Sequence, residues 1–295
     1  MTGRWLVALL AICGAAISTS GEQIPTLRTD SNLVLVPVSV VDPRNHPVTG
    51  LTKENFRVFD EGVERTITAF AMEDEPIAVG LVFDRSASVE EVIQEESRAA
   101  DLFLRTANPA DEYFLVVFGS KPALAVPLTR GTDSVRYRVL RAGSTGWTAL
   151  YDAVVMGLNE LKKSGLRRKA LLLVSDGGEN HSRYNKAAVE KVVEEGDAQI
   201  YAIGFRTSDT NFAVLNWMAE LSGGRLIPAR PAELPDVAAK IGLELRNRYV
   251  LGFRAGDIAR DAKYHRLRVE LVPPPGLPPL RAWWRQGYRA PKDGK

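Results

Sequence analysis

From Pro76 to about Asn247 short apolar runs alternate with amphipathic stretches of helical length. The runs are IAVGLVF, EYFLVVF, ALAVPL, ALLLVS, QIYAIGF and RLIPA. A strand with one wet face alternates apolar and polar residues, but Ala170 to Val174 carries no polar residue on either side, so both of its faces must be covered. Between the runs, Val89, Val92, Ile93, Ala100, Phe103 and Leu104 recur at helical spacing. Leu150, Val154, Leu158 and Leu161 do the same, as do Leu234, Val237, Ala238, Ile241 and Leu245. Strands alternating with helices wire up as βαβ units. The expected fold is therefore α/β, a doubly wound and mostly parallel sheet with helices on both faces, spanning residues 76–247.

The two ends follow a different rhythm. Residues 30–75 read as a small β unit: LVLVPVSVV, a turn region from Asp42 to Gly50, then FRVFD and VERTITAF. Pro37 cannot donate a ladder hydrogen bond, so its strand is expected at a sheet edge or starting after the proline. Residues 248–290 return to strands in YVLGFRA, HRLRVEL and RAWWRQGYR, with the proline-rich connector PPPGLPPL before the last. Three strands at each end are too few to bury a core alone, so the ends are expected to pair into one small β-sandwich.

Ahead of these units, MTGRWLVALLAICGAAISTSGEQ sets Arg4 before an apolar run and ends in small residues, the pattern of an export signal over residues 1–20. The run is shorter than the ~20 residues of a membrane span, and no later segment is long enough, so no transmembrane segment is expected in the mature chain. An exported protein of periplasm, cell surface or extracellular space follows. Cys13, the only cysteine, lies within that signal, which excludes disulfides, thiolate metal sites and a cysteine nucleophile afterwards. With 38 Lys and Arg against 36 acids, the formal charge of +2 is too balanced for a nucleic-acid or membrane-surface binder. Oligomeric state is not legible.

In open α/β sheets, ligands collect beyond the carboxyl ends of strands. Three such turns carry oxygen-bearing side chains. The first run delivers DRSAS, with Asp84, Ser86 and Ser88. The turn STGWTALYDA offers Thr148 at a helix start, and LLLVSDGGEN offers Asp176 at a strand end. Carboxylate and hydroxyl oxygens are hard ligands suited to Mg²⁺, with Mn²⁺ or Ca²⁺ possible, and unsuited to zinc or copper. Two aspartates balance a divalent charge, and three neutral hydroxyls leave the ion electrophilic enough to accept an acidic side chain from another molecule.

At these residues the chain resembles the von Willebrand factor type A domain, whose metal-ion-dependent adhesion site reads D-x-S-x-S, then a threonine, then an aspartate. Asp84, Ser86 and Ser88 match the first element, Thr148 the second and Asp176 the third. The resemblance implies that Ser86, Ser88 and sometimes Thr148 bind the ion directly, while Asp84 and Asp176 often act through water. The flanks, LVPVSVVDPRNHPVTGLTKENFRVFDEGVERTITAF and RQGYR, are similar to exported proteins of this kind abundant in Acidobacteria. Arg85 and Trp147 are expected to project beside the metal and shape partner choice.

The resulting expectation is a non-enzymatic, adhesion-type module that engages an Asp or Glu of a protein ligand through its metal. Two other readings compete with it. An envelope structural or assembly module would use the metal only to stabilise the rim. A Ser/His/Asp hydrolase would rely on His181, the one histidine near that rim, but the chain has no G-x-S-x-G elbow, and His46 and His265 fall in the β units. Phosphate-cradle motifs are also missing. Trp283 and Trp284 with Arg281, Arg285 and Arg289 read as sandwich packing, since neighbouring strand residues point to opposite faces. KKSGLRRK, from Lys162 to Lys169, reads as a solvated turn.

Overall fold

The computed structural model describes residues 33–139, 146–207, 210–254 and 263–290. The expected export signal lies outside the described residues. The N-terminal strands are β1 (Leu33–Val41), β2 (Phe56–Asp60), β3 (Val63–Arg65) and β4 (Ile67–Glu73). The central run comprises β5 (Ile77–Asp84), α1 (Ile93–Leu104), β6 (Glu112–Phe118), β7 (Pro122–Arg130), α2 (Asp133–Val139), α3 (Leu150–Leu161), β8 (Arg168–Ser175), α4 (Lys186–Glu195), β9 (Gln199–Gly204), α5 (Phe212–Ser222), β10 (Leu226–Pro228) and α6 (Leu234–Arg246). The chain closes with β11 (Arg248–Arg254), β12 (Tyr264–Leu271), β13 (Arg281–Trp284) and β14 (Gly287–Arg289).

The central sheet has the order β10-β9-β8-β5-β6-β7, parallel throughout except for β7, which pairs antiparallel with β6 at one edge. Every residue of β5 is buried. The two-residue period of the strand divides that burial between two cores. Ile77, Val79, Leu81 and Phe83 pack with α1, α2 and α6, whereas Ala78 and Val82 pack with α3, α4 and α5. Strand β5 is flanked by β6 on one side and β8 on the other, so consecutive crossovers leave it in opposite directions. That reversal opens a crevice at the carboxyl ends of β5 and β8.

The end strands form two antiparallel sheets, β13-β1-β11-β4 and β14-β12-β2-β3, each mixing strands from both ends of the chain. Between them lies a core that includes Val38, Val58, Tyr249, Leu251, Phe253 and Val269. Pro37 departs from expectation. Its strand runs straight through it and lies inside the sheet, with Pro37 opposite Val250 of β11. The proline is tolerated because β13 covers only Val38 to Val41, so β1 is locally an edge on that side at Pro37.

Polar contacts join the sandwich to the central domain. Ser39 Oγ lies 3.0 Å from the hydroxyl of the fully buried Tyr201. Arg225 forms a buried ion pair with Glu244 of α6 at 2.6 Å, donates to Asn45 Oδ1 at 3.0 Å, and stacks over the Trp283 ring at 4.6 Å. Trp284 points the other way, packing against the sandwich core and donating its indole N–H to Leu267 O. In the KKSGLRRK turn, Arg168 is not solvated; it is buried and donates to the carbonyls of Glu75 and Leu245. A buried pair broken on one side leaves an uncompensated charge. Arg225→Met is expected to cost about 3–5 kcal/mol of stability by urea unfolding, and Arg225→Met/Glu244→Leu to recover much of it.

Candidate metal centre

The carboxyl end of β5 delivers Asp84, Arg85 and Ser86 in succession, all buried, and then the half-buried Ser88 in the 3₁₀ turn Ala87–Val92 that leads into α1. One strand over, β8 ends at Ser175 and delivers the fully buried Asp176. Ser88 Oγ donates to Asp176 Oδ2 at 2.8 Å and lies 3.2 Å from Ser86 Oγ. Asp84 and Asp176 are thereby joined to the two serines in one cluster. The third turn is tied in through the backbone: Ala87 N–H donates to Gly146 O at 3.1 Å, and Thr148 O accepts from the N–H groups of Asn180 and His181 at 3.0 and 3.1 Å. Thr148 itself is buried and its N–H donates to Asn180 Oδ1 at 2.9 Å.

Each carboxylate is held by donors from its own turn and its neighbours. Asp84 Oδ1 accepts from Ser86 N–H at 2.9 Å, and Asp84 Oδ2 from Ser175 Oγ at 2.6 Å. Asp176 Oδ1 accepts from Gly178 N–H at 2.8 Å, while Oδ2 also accepts from Thr207 Oγ1. Burial drives the Asp84 carboxyl up to about 6; bonds from Ser175 and Ser86 oppose the rise, and the charge of Asp176 adds to it. Two carboxylates in one buried crevice are therefore costly without a positive charge, which a cation would supply.

The donor set fits a hard divalent ion. Ser88 spends its proton on Asp176 and accepts from Ser86, which leaves one lone pair, so the same hydroxyl can bind a cation while holding the carboxylate. Both Asp84 oxygens are already engaged by protein donors, which suits a role behind the hydroxyls. Among the described residues no cluster of three or more Asp, Glu, His or Cys side chains could hold a metal, so this site has to draw on its hydroxyls. Of the set, Ser88 is the member that solvent reaches most readily.

Arg85 corrects an expectation. It does not project beside the site; it turns inward, 2% exposed, and forms a buried ion pair with Glu96 of α1. It also donates to Asp84 O at 3.0 Å, and its own N–H donates to Phe118 O at 2.6 Å, so it anchors the loop from beneath. Trp147 does project, at 62% exposure. His181 stacks on it with ring centroids 6.4 Å apart, and among the described residues no serine hydroxyl bonds its imidazole, so a Ser/His/Asp triad is not assembled there.

Several residues act as supports here, a role the sequence does not assign them. Ser175 and Thr207 hold the two carboxylates, Asn180 fixes the Thr148 turn, and Glu179 accepts from Tyr151 N–H at 2.8 Å at the start of α3. Ser175, Glu179 and Asn180 lie in the same VSDGGEN segment as Asp176, so the segment carried the signal while the individual roles needed coordinates. Gly177 is required by both conformation and space. Its φ is +83°, and a Cβ there would lie 2.3 Å from Asn211 O. Gly177→Ala is expected to cost about 1–3 kcal/mol by chemical denaturation. Gly165→Ala, where an added Cβ meets nothing within 4 Å beyond its chain neighbours, should be near neutral.

Known proteins agree with this reading of fold. The family model of the von Willebrand factor type A domain matches residues 79–179, which contain all five candidate ligands. A von Willebrand factor type A protein from Catenulispora acidiphila superposes with a TM-score of 0.53 at 12% identity, covering 80% of this chain and 72% of that one. Proximal thread matrix protein 1 from the mussel byssus gives 0.52 at 16% identity, over 63% of this chain and 49% of its own. No curated protein matches the chain in sequence. The class is thus an α/β domain with a doubly wound sheet and a rim site at its switch point. Residues 79–179 match the von Willebrand factor type A domain, and the α/β unit that contains them is attached to a β-sandwich built from both ends of the sequence.

Proposed function

We propose that this is an exported, non-enzymatic protein-binding module that uses Asp84, Ser86, Ser88, Thr148 and Asp176 to hold one divalent cation, Mg²⁺ foremost. The observation that carries the reading is the Ser88–Asp176 hydrogen bond across two adjacent strand ends, with Ser86 and Asp84 joined to it. It gathers two buried carboxylates and two hydroxyls, a donor set made for a hard cation. A bound divalent ion there would present an electrophilic position for an Asp or Glu of a protein ligand. The chain's own residues supply the rest: Asp84 and Asp176 balance charge, the half-buried Ser88 hydroxyl lies nearest to solvent, and Arg85–Glu96 keeps the loop from moving. Export is supported by the N-terminal pattern, and none of the described helices is long and apolar enough to cross a membrane.

Calorimetric titration of Mg²⁺, Mn²⁺ and Ca²⁺ into chelator-stripped protein tests the metal directly. One ion should bind per chain, and saturation at about 100 times Kd should raise unfolding stability by about 2.7 kcal/mol. Ser88→Ala and Asp176→Ala should each weaken uptake at least about tenfold, since each removes a charged or charge-assisted contact. Absence of heat and of any melting shift in the unmodified protein would refute the metal.

A further inference from the structure

Trp147 lies against the candidate metal loop. Its neighbour Gly146 accepts a backbone hydrogen bond from Ala87, which sits between Ser86 and Ser88, and its other neighbour is Thr148. Yet Trp147 is 62% exposed, the most exposed of the large hydrophobic side chains on the described surface. Leaving so much aromatic surface in water is unfavourable, and tryptophan concentrates binding energy when a partner covers it.

The backbone beneath the ring is held firmly. Trp147 N–H donates to Ser120 Oγ at 2.9 Å, and the Thr148 peptide is fixed on both sides by Asn180. Gly146 has φ +67°, and a Cβ there would lie 2.2 Å from Ser120 Oγ, so the turn admits little else. The exposed His181 stacks nearly parallel to the indole, at 16°, widening it into a ledge. A preorganised aromatic loses little conformational entropy on binding, which favours its use as an anchor.

We infer that the Trp147–His181 ledge is the specificity-determining contact beside the metal, and that it selects protein segments in which a bulky apolar or aromatic residue lies within two positions of the metal-bound Asp or Glu. This rests on the metal reading above. An acid alone would satisfy the cation, whereas the ledge separates segments that share that acid by what stands next to it. An exposed aromatic surface gains little from a charged or glycine neighbour and much from an apolar one.

Display of random heptapeptides against the full chain in millimolar Mg²⁺ tests the inference. The expected result is enrichment of sequences with an acid and a Phe, Tyr, Trp or Leu within two residues of it. Trp147→Ala should weaken the best synthetic peptide about tenfold or more while retaining Mg²⁺ uptake by calorimetry. Enrichment of the acid with random neighbours, or an unchanged affinity in Trp147→Ala, overturns the ledge and leaves the metal standing. Peptides that bind equally well in EDTA or to Ser88→Ala bring down the metal reading and the ledge with it. No enrichment at all, from protein that still takes up Mg²⁺, also overturns the ledge.

Discussion

Two carboxylates buried at the ends of adjacent parallel strands are the constraint around which this molecule is arranged. Asp84 and Asp176 are fully buried, and a pair of like charges in such a place is tolerated only with dense hydrogen bonding or a cation between them. The protein supplies the first in full. Ser175, Ser86, Ser88, Gly178 and Thr207 all donate to the pair. Beyond these bonds Ser86 and Ser88 keep hydroxyl lone pairs that a hard cation could use, with Ser88 the less buried of the two. Ser86 and Ser88 thus serve both the buried pair and the proposed ion.

Much of the rest keeps those two strand ends still. The parallel pairing of β5 with β8 sets the carboxylates side by side, and both faces of the sheet are sealed by helices. Beneath the first loop, Arg85 and Glu96 tie β5 to α1; on the opposite side, Glu179 holds the segment after β8 to α3. The sandwich bears on the same frame at a distance. Its Asn45 and Trp283 meet Arg225, whose partner Glu244 lies on α6, so the sandwich reaches the last helix of the central domain through that arginine.

The sequence made the larger features legible for identifiable reasons. Continuous apolar runs such as Ala170 to Val174 admit only a doubly covered strand, and oxygen-bearing turns at the ends of two neighbouring parallel strands share one rim. What escaped was direction and pairing. Arg85 sits between two site residues, and in a regular strand its neighbours' positions would aim it outward. The chain instead turns at the end of β5, and a buried acid on α1 captures the guanidinium; no local pattern announces a partner eleven residues away. Pro37 was misplaced because a proline's tolerance depends on how far the adjacent strand reaches, and that is set by β13, far along the chain. Ser175 and Thr207 look like ordinary strand-end hydroxyls until coordinates show which carboxylates they hold.

The central claim is that these hydroxyls and carboxylates gather around one ion. Anomalous scattering from crystals grown with Mn²⁺ addresses it most directly, because it locates the ion without reference to a ligand. The account predicts a single strong anomalous peak in contact with Ser86 Oγ and Ser88 Oγ and adjacent to Asp176. A peak elsewhere, or none in crystals saturated with Mn²⁺, would contradict it.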